Sequence, residues 1–442
     1  MYRLYNLLLR VSIVFILPWC LLNLIRGKYR VGLWQRMGFY PDEIQKGLLN
    51  QFTLWIHAVS VGEVIASVPL IKGLKENYPN LKIVLSTVTV TGNKIAKEKV
   101  SEADYIIYFP FDFLGSIKRA LKAVNPSACI IMETELWPNF LKELNVKDIP
   151  TVIVNGRVSE KSFKGYNIIR PFMKEILKNI SLFNMQTEGD AKKIITLGAE
   201  KRNVIITGNI KYDCNFKKID NDDIKEIKDT LGINGKERIL IAGSTHPGEE
   251  DTIVDVYASL LKDHPDFRLI IAPRHIERAG EVEEIIKMRG LVPVRRTCLF
   301  KGDNTISLSA CGYAQAGGRP VIILDTIGEL SFIYSIGTIV FVGGSLIPHG
   351  GQNILEPLFY KKPVLFGKYM MNFHEISKDI CSSGGGIQVN DKNDLRKEVA
   401  GLLDNEKRMA EVGEKGYQMI MRNRGALQKN LKLIGEIMSR RK

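Results

Sequence analysis

Two doubly wound α/β domains behind an apolar N-terminal helix are what this sequence predicts, and three observations predict them. Short Val/Ile/Leu-rich runs alternate with amphipathic stretches of helical period, the pattern of buried parallel strands joined by helical crossovers. The alternation stops once, over the polar stretch Tyr212–Lys236, and restarts at Arg238. At 442 residues the chain is also too long for one ordinary core, so two domains are the natural division. The expected boundaries are residues 1–27 for a membrane anchor, 28–212 for the first domain and 213–442 for the second.

The anchor is read from Leu4–Ile25, apolar except for Tyr5, Asn6, Arg10, Ser12 and Asn23. Its length suits a bilayer span of about 20 residues. Tyr2, Tyr5 and Trp19 are placed to sit at interface levels, and no small-residue cleavage site follows, so a removed signal peptide is not expected. A buried core helix, or a helix lying in one leaflet, is the alternative, and Arg10 weighs against a full span. No Asp or Glu precedes Asp42, whereas Arg3, Arg10, Arg26, Lys28, Arg30 and Arg36 do. The excess after the apolar segment puts the domains on the cytoplasmic side. Each basic residue near an anionic headgroup layer adds about 1 kcal/mol of attraction.

The net charge of +14 points to an anionic partner. No nucleic-acid motif accompanies it, so inner-membrane lipid and phosphorylated substrates are the expected partners and nucleic acid is not. Six cysteines are scattered without a CxxC pair, which fits reduced, mostly buried thiols.

In the first domain the strand-like runs are Thr53–Val59, Lys82–Ser86, Ala128–Met132, Thr151–Val154 and Val204–Thr207. In the second they are Arg238–Ala242, Arg268–Ala272, Val321–Leu324, Thr338–Val342 and Pro363–Phe366. Ligands of such sheets bind at the carboxyl ends of strands, so the loops after these runs carry the candidate chemistry.

After the first run comes His57-Ala58-Val59-Ser60-Val61-Gly62-Glu63. Glu63 opens a helix there and can accept a proton from an incoming hydroxyl; the helix dipole alone also favours an acid at that position. After the third comes Met132-Glu133-Thr134-Glu135-Leu136-Trp137-Pro138-Asn139. Two carboxylates at the end of a buried strand are costly unless paired or used. On an extended chain they share a face, although a plain helix start at Glu135 and Pro138 reads equally well. After the last run of the first domain, Thr207-Gly208-Asn209-Ile210-Lys211 brings a lysine able to meet phosphate or developing negative charge.

In the second domain, Ala242-Gly243-Ser244-Thr245-His246-Pro247 and Ala272-Pro273-Arg274-His275 both follow strands. They suit an anion site in which Arg274 forks onto phosphate or carboxylate. The two histidines lack metal-ligand spacing. Val342-Gly343-Gly344-Ser345 and His349-Gly350-Gly351-Gln352-Asn353-Ile354-Leu355-Glu356-Pro357 form a glycine-rich ligand loop, with Asn353 as a helix cap and Glu356 suited to ribose hydroxyls. Asp325-Thr326-Ile327-Gly328-Glu329-Leu330 is a further strand-to-helix turn. Neither a P-loop nor GxGxxG after a first strand is present, which argues against an ATPase and a dehydrogenase.

HAVSVGE, METELWPN, NGRVSEKS, TGNIK, AGSTHPGEE, APRHIER, DTIGEL and FVGGSLIPHGGQNILEP, spread in this order between about Lys28 and Phe373, resemble motifs of the 3-deoxy-D-manno-octulosonic acid (Kdo) transferases of Gram-negative bacteria. One departure is Lys368 after Phe366-Gly367, where the family pattern has proline. The resemblance implies a GT-B architecture, with the acceptor on the N-terminal domain and CMP-Kdo on the C-terminal one. It implies Glu63 as general base, Glu133 and Lys211 as transition-state stabilisers, and Pro273, Arg274, Ile327, Gly328, Glu329 and Asn353, Ile354, Leu355, Glu356 as the CMP site. The reaction it implies is metal-independent, cofactor-free inverting transfer of Kdo from CMP-Kdo to a lipid A precursor, lipid IVA, at the cytoplasmic face of the inner membrane. Asp220-Asn221-Asp222 matches the DxD pattern of metal-dependent glycosyltransferases but lies in the polar stretch, where a solvated charge run is expected. An epimerase of like architecture would have no use for an anchor, and a non-catalytic nucleotide-binding scaffold would have none for an acid at Glu63.

Overall fold

All ten expected strands form, in two all-parallel sheets, in a computed structural model that describes residues 1–12, 31–213, 219–233, 237–299 and 320–439. The chain divides into two units: Met1–Cys214 with Asn423–Lys442, and Asn215–Arg422.

The first unit holds β1 (Thr53–His57), β2 (Lys82–Thr87), β3 (Tyr105–Tyr108), β4 (Ala128–Met132), β5 (Thr151–Gly156), β6 (Leu182–Met185) and β7 (Val204–Ile206). Their order in the sheet is β3-β2-β1-β4-β5-β6-β7. Every residue of β1 and β4 is buried, as expected for strands covered on both faces by crossover helices. Chain leaving β1 turns one way, through helix α1 (Val61–Asn77), to β2. Chain leaving β4 turns the other way, through α2 (Pro138–Val146), to β5. That divergence opens a crevice at the carboxyl ends of β1 and β4.

The second unit repeats the plan. Its strands are β8 (Arg238–Thr245), β9 (Phe267–Pro273), β10 (Pro293–Arg295), β11 (Val321–Ile323), β12 (Ile339–Val342), β13 (Val364–Gly367) and β14 (Gly386–Val389), in the order β10-β11-β9-β8-β12-β13-β14. Helices α3 (Glu249–Leu260) and α4 (Leu355–Phe359) follow β8 and β12, so here the crevice lies between β8 and β12.

The C-terminal segment departs from the expected division at residue 213. Helix Ala426–Ser439 buries Ala426, Leu431, Ile434 and Met438 in the core of the first unit. Its start is held by Asp213, whose carboxylate accepts the Gly425 and Leu427 N–H groups at 2.6 Å each. Asn430, fully buried, accepts from Asn184 Nδ2 on β6 at 2.8 Å. An apolar stripe finds its partner in space rather than along the chain, and this one matches the first unit.

One further expectation changes. Tyr2 and Tyr5, expected at a bilayer interface, dock on the first unit instead. Tyr5 donates to the buried Asp112 carboxylate at 2.8 Å, and Tyr2 meets Phe172 edge-on at 5.4 Å. Asp112 draws the tyrosine because it also accepts Asn139 and Phe140 N–H and anchors the start of α2. Among the described residues no helix is long and apolar enough to cross a membrane. Of the expected span, residues 13–25, with Trp19, lie outside the described residues. The DxD-like run is exposed, as expected of a solvated charge run, and it starts a helix: Asp220 caps Asn221–Thr230 in a reciprocal capping box with Asp223.

Asp213→Ala is expected to destabilise the first unit by about 1–2 kcal/mol, as loss of a helix cap does. Urea unfolding of the full chain, followed by tryptophan fluorescence, measures this; an unchanged midpoint would contradict the role given to Asp213.

Candidate active site

In the first unit the crevice carries Glu63, in the first turn of α1. Its side chain is buried, and its carboxylate accepts Val59 N–H and Ser60 Oγ–H, both at 2.8 Å. Burial pushes its pKa up to about 7; the hydrogen bonds pull it down, and negative charge on Glu133 and Glu135 adds to the rise. A carboxyl group that titrates near neutrality can take a proton in its charged form at physiological pH.

Glu133 leaves β4 with φ 56°, a left-handed conformation that costs a residue other than glycine on the order of 1 kcal/mol. The chain therefore turns at Glu133, and the extended alternation expected for Glu133 and Glu135 does not occur. Glu133 N–H donates to Val154 O at 2.9 Å, and Arg157 N–H donates to Thr134 Oγ1 at 3.1 Å, which holds the turn against β5. Burial, then the neighbouring Glu133 charge, raises the Glu135 carboxyl group. Lys211 Nζ lies 3.8 Å from Glu133 Oε1, so the structure brings Glu63, Glu133 and Lys211 to one crevice.

Three amides position Lys211, and two of them, Gln186 and Asn155, went unassigned to that task in the sequence reading. Lys211 lies in the short turn Ile210–Asp213. Asn155 Oδ1 accepts Ile210 N–H at 3.0 Å, and Asn209 Oδ1 accepts Lys211 N–H at 3.0 Å. Gln186 bridges them, donating to Asn155 O at 2.9 Å and accepting from Asn209 Nδ2 at 3.0 Å. The one sequence signal is chemical: Asn155 has φ 58°, and asparagine tolerates that region. His57 is fully buried, stacked on Phe109 at 3.9 Å with Nδ1 2.9 Å from Ser86 Oγ. Burial depresses it to about 3, so it is a neutral packing ring.

In the second unit the crevice is built by backbone contact. A Cβ on Gly343 would lie 2.4 Å from Ser244 O, and one on Gly367 2.1 Å from Ser345 O. Only glycine allows strand ends to approach so closely. Across the gap, Glu249 in the first turn of α3 accepts four backbone N–H groups: His246 and Gly344 on Oε2, Ser345 and Leu346 on Oε1.

The expected nucleotide-site residues sit at three strand ends. Pro273 ends β9, and Arg274 is exposed, its N–H donating to Thr245 O at 2.9 Å. After β11, Ile327 is 84% exposed, Gly328 has φ 92°, and Glu329 pairs with Arg296 at 3.3 Å. In the loop after β12, Asn353 Nδ2 donates to Glu356 Oε1 at 3.0 Å, and Asn353 Oδ1 accepts Leu355 N–H at 3.1 Å; the N-cap position of α4 is Ile354 rather than the expected Asn353. Burial raises the Glu356 carboxyl group. The side chains of Ile354 and Leu355 are in the core, which leaves only their backbone to meet a ligand.

Residues 32–214 match the family model described as 3-deoxy-D-manno-octulosonic-acid transferase (kdotransferase). The 3-deoxy-D-manno-octulosonic acid transferase of Haemophilus influenzae is 38% identical over 95% of this chain and 94% of its own length. A bifunctional glycosyltransferase/methyltransferase of Fusobacterium nucleatum is 34% identical over 91% of this chain and 59% of its own. The UDP-GlcNAc 2-epimerase of Neisseria meningitidis, bound to UDP-GlcNAc, is alike in fold, with TM-score 0.52 at 15% identity over 88% of this chain and 100% of that one. With two parallel-sheet α/β units and a family relative matched nearly end to end, the chain belongs to the 3-deoxy-D-manno-octulosonic acid transferases.

Proposed function

We propose that the chain is a lipid IVA Kdo transferase that moves Kdo from CMP-Kdo to the lipid A precursor with inversion, Glu63 acting as the general base. The observation that carries this reading is the buried Glu63 carboxylate in the first turn of α1, at the crevice between β1 and β4 that also holds Glu133 and, 3.8 Å from Glu133, Lys211; burial raises the Glu63 pKa to about 7. A carboxylate of that strength can take the proton of an attacking hydroxyl at physiological pH.

In the proposed step an acceptor hydroxyl attacks the anomeric carbon of Kdo in line. Its proton passes to the Glu63 carboxylate as the new C–O bond forms. The bond from the anomeric carbon to the phosphate of CMP breaks, and its electron pair stays on that phosphate. Lys211 balances the developing charge, and Glu133 holds Lys211 at 3.8 Å. Pro273, Arg274, Ile327, Gly328, Glu329 and Asn353 to Glu356 hold CMP, with Arg274 on phosphate and Glu356 on ribose hydroxyls. The phosphate leaving group is already acidic, so the step needs charge stabilisation more than a proton donor. The proposed mechanism uses no metal and no cofactor.

We place the enzyme on the cytoplasmic face of the inner membrane. Leu4, Leu7, Leu8 and Val11, at helical spacing, are exposed on the N-terminal helix, and Val31 and Trp34 are exposed after it. An apolar stripe beside basic residues favours an anionic lipid surface, which is where a lipid acceptor lies. Another nucleotide-sugar enzyme acting on a lipid acceptor is the alternative if the acceptor assignment fails.

The test incubates detergent-solubilised protein with CMP-Kdo, made in situ, and tetra-acylated lipid IVA, and reads the lipid by mass spectrometry. A gain of whole Kdo units with wild type supports the reading; no gain, with CMP still bound, contradicts the acceptor. Glu63→Ala is expected to lose about 100- to 10,000-fold in turnover while CMP affinity by calorimetry stays within twofold. The charged carboxylate is the active form, so kcat should fall tenfold per unit as pH drops below about 7, and a profile flat from pH 5 to 8 would contradict it. Lys211→Ala should cost about 100-fold in kcat. Leu7→Asp with Leu8→Asp should cut sedimentation with anionic vesicles without lowering turnover on detergent-dispersed acceptor; unchanged sedimentation would contradict the membrane face.

A further inference from the structure

Three histidines from three strand ends meet at the crevice between β8 and β12. His246 follows β8 and is buried; its ring stacks on His349 at 4.4 Å and 16°, and His275 lies edge-on at 6.1 Å. Gln352 Nε2 is 3.4 Å from His246 Nε2. Gly344, with φ 67°, puts no side chain on this edge: a Cβ there would stand 3.5 Å from His246 Nε2 and 3.6 Å from Gln352 Nε2. A side chain at Gly344 would fill the space that the two nitrogens face.

The field at this edge is positive. Burial, then His349, His275, Arg274 and Arg278, holds His246 down to about 4. The two carboxylates nearest in sequence are engaged: Glu249 by its four backbone N–H groups, and Glu250 by Thr245 and Arg278. Arg278 is balanced by Glu250 and Glu281, but imidazole and amide nitrogens beside the exposed guanidinium of Arg274, in a glycine-lined recess, suit an oxyanion. Glu249 sets the recess, because the same carboxylate fixes the backbone of His246 and of Gly344–Leu346.

We propose that His246, His349 and Gln352 form an oxyanion subsite for the donor in the crevice between β8 and β12, a proposal that rests on the CMP-Kdo reading. The oxyanion is the carboxylate of the acidic sugar or the phosphate of the nucleotide, and the experiment separates the two. His246→Phe keeps a stacked ring without its nitrogens; His349→Ala and Gln352→Ala alter less buried side chains. For the full chain, the affinity of CMP is measured by calorimetry and the KM of CMP-Kdo by the lipid assay, with thermal melts as a check on folding. If the carboxylate sits here, KM rises at least tenfold in His246→Phe and His349→Ala while CMP affinity stays within twofold. If the phosphate sits here, CMP affinity falls by the same factor as KM rises. CMP affinity and KM both within twofold of wild type in folded variants would overturn the subsite. Absence of Kdo transfer by wild type would overturn the proposed function instead; unchanged CMP affinity in the variants would then overturn the subsite as well.

Discussion

A carboxylate seated in the first turn of the helix leaving the central strand organises both crevices. Parallel crossovers that diverge from neighbouring strands leave backbone N–H groups pointing into a gap. An acid at that point satisfies them and lies at the positive end of the helix dipole. In the second unit Glu249 accepts four such donors and is wholly buried, so it serves as a fixed support for the loop after β12. In the first unit Glu63 accepts only Val59 N–H and Ser60 Oγ–H, with Glu133 and Glu135 nearby. Burial then outweighs hydrogen bonding, and Glu63 titrates near neutrality. Equivalent places in two like sheets thus hold one carboxylate fixed by four backbone N–H groups and one held by a single backbone N–H and a hydroxyl.

Strain collects at the same points. Glu133 and Ser244 both carry positive φ at strand ends bordering the crevices, and Ser244 sits in the register break between Gly243 and Thr245. Left-handed non-glycine residues persist only where the surroundings fix them. Around Glu133 those surroundings are the backbone bond to Val154 and the Thr134–Arg157 bond. Lys211 is fixed differently, by the Asn155–Gln186–Asn209 amides. These three amides tie the lysine's position to three strand ends at once.

Much of this was legible in the sequence because apolar runs and strand-end polar clusters are local signals. The ten strand-like runs became strands, and Glu63, Glu133, Lys211, Arg274 and Asn353 all lie in the segments that follow strands. What escaped was set by distant contacts. β3, β10 and β14 are short edge strands with half-buried or exposed residues such as Tyr105 and Gln388, which blur the apolar pattern. β6 contains Asn184, whose polarity makes sense only beside Asn430, 246 residues away. The same pairing, with Asp213, draws the last helix to the first unit. The turn at Glu133 and the engagement of Glu249 by a loop 95 residues further on are likewise tertiary facts.

The central claim is that burial among like charges, rather than a hydrogen-bonded partner, sets the reactivity of Glu63. It is tested most directly by titrating that carboxyl group in the full chain, using isotope-edited infrared difference spectra of wild type against Glu63→Gln. A midpoint near 7 that moves downward in Glu133→Gln is what this account predicts. A midpoint in the ordinary carboxylate range near 4.5, unmoved by that substitution, would contradict it.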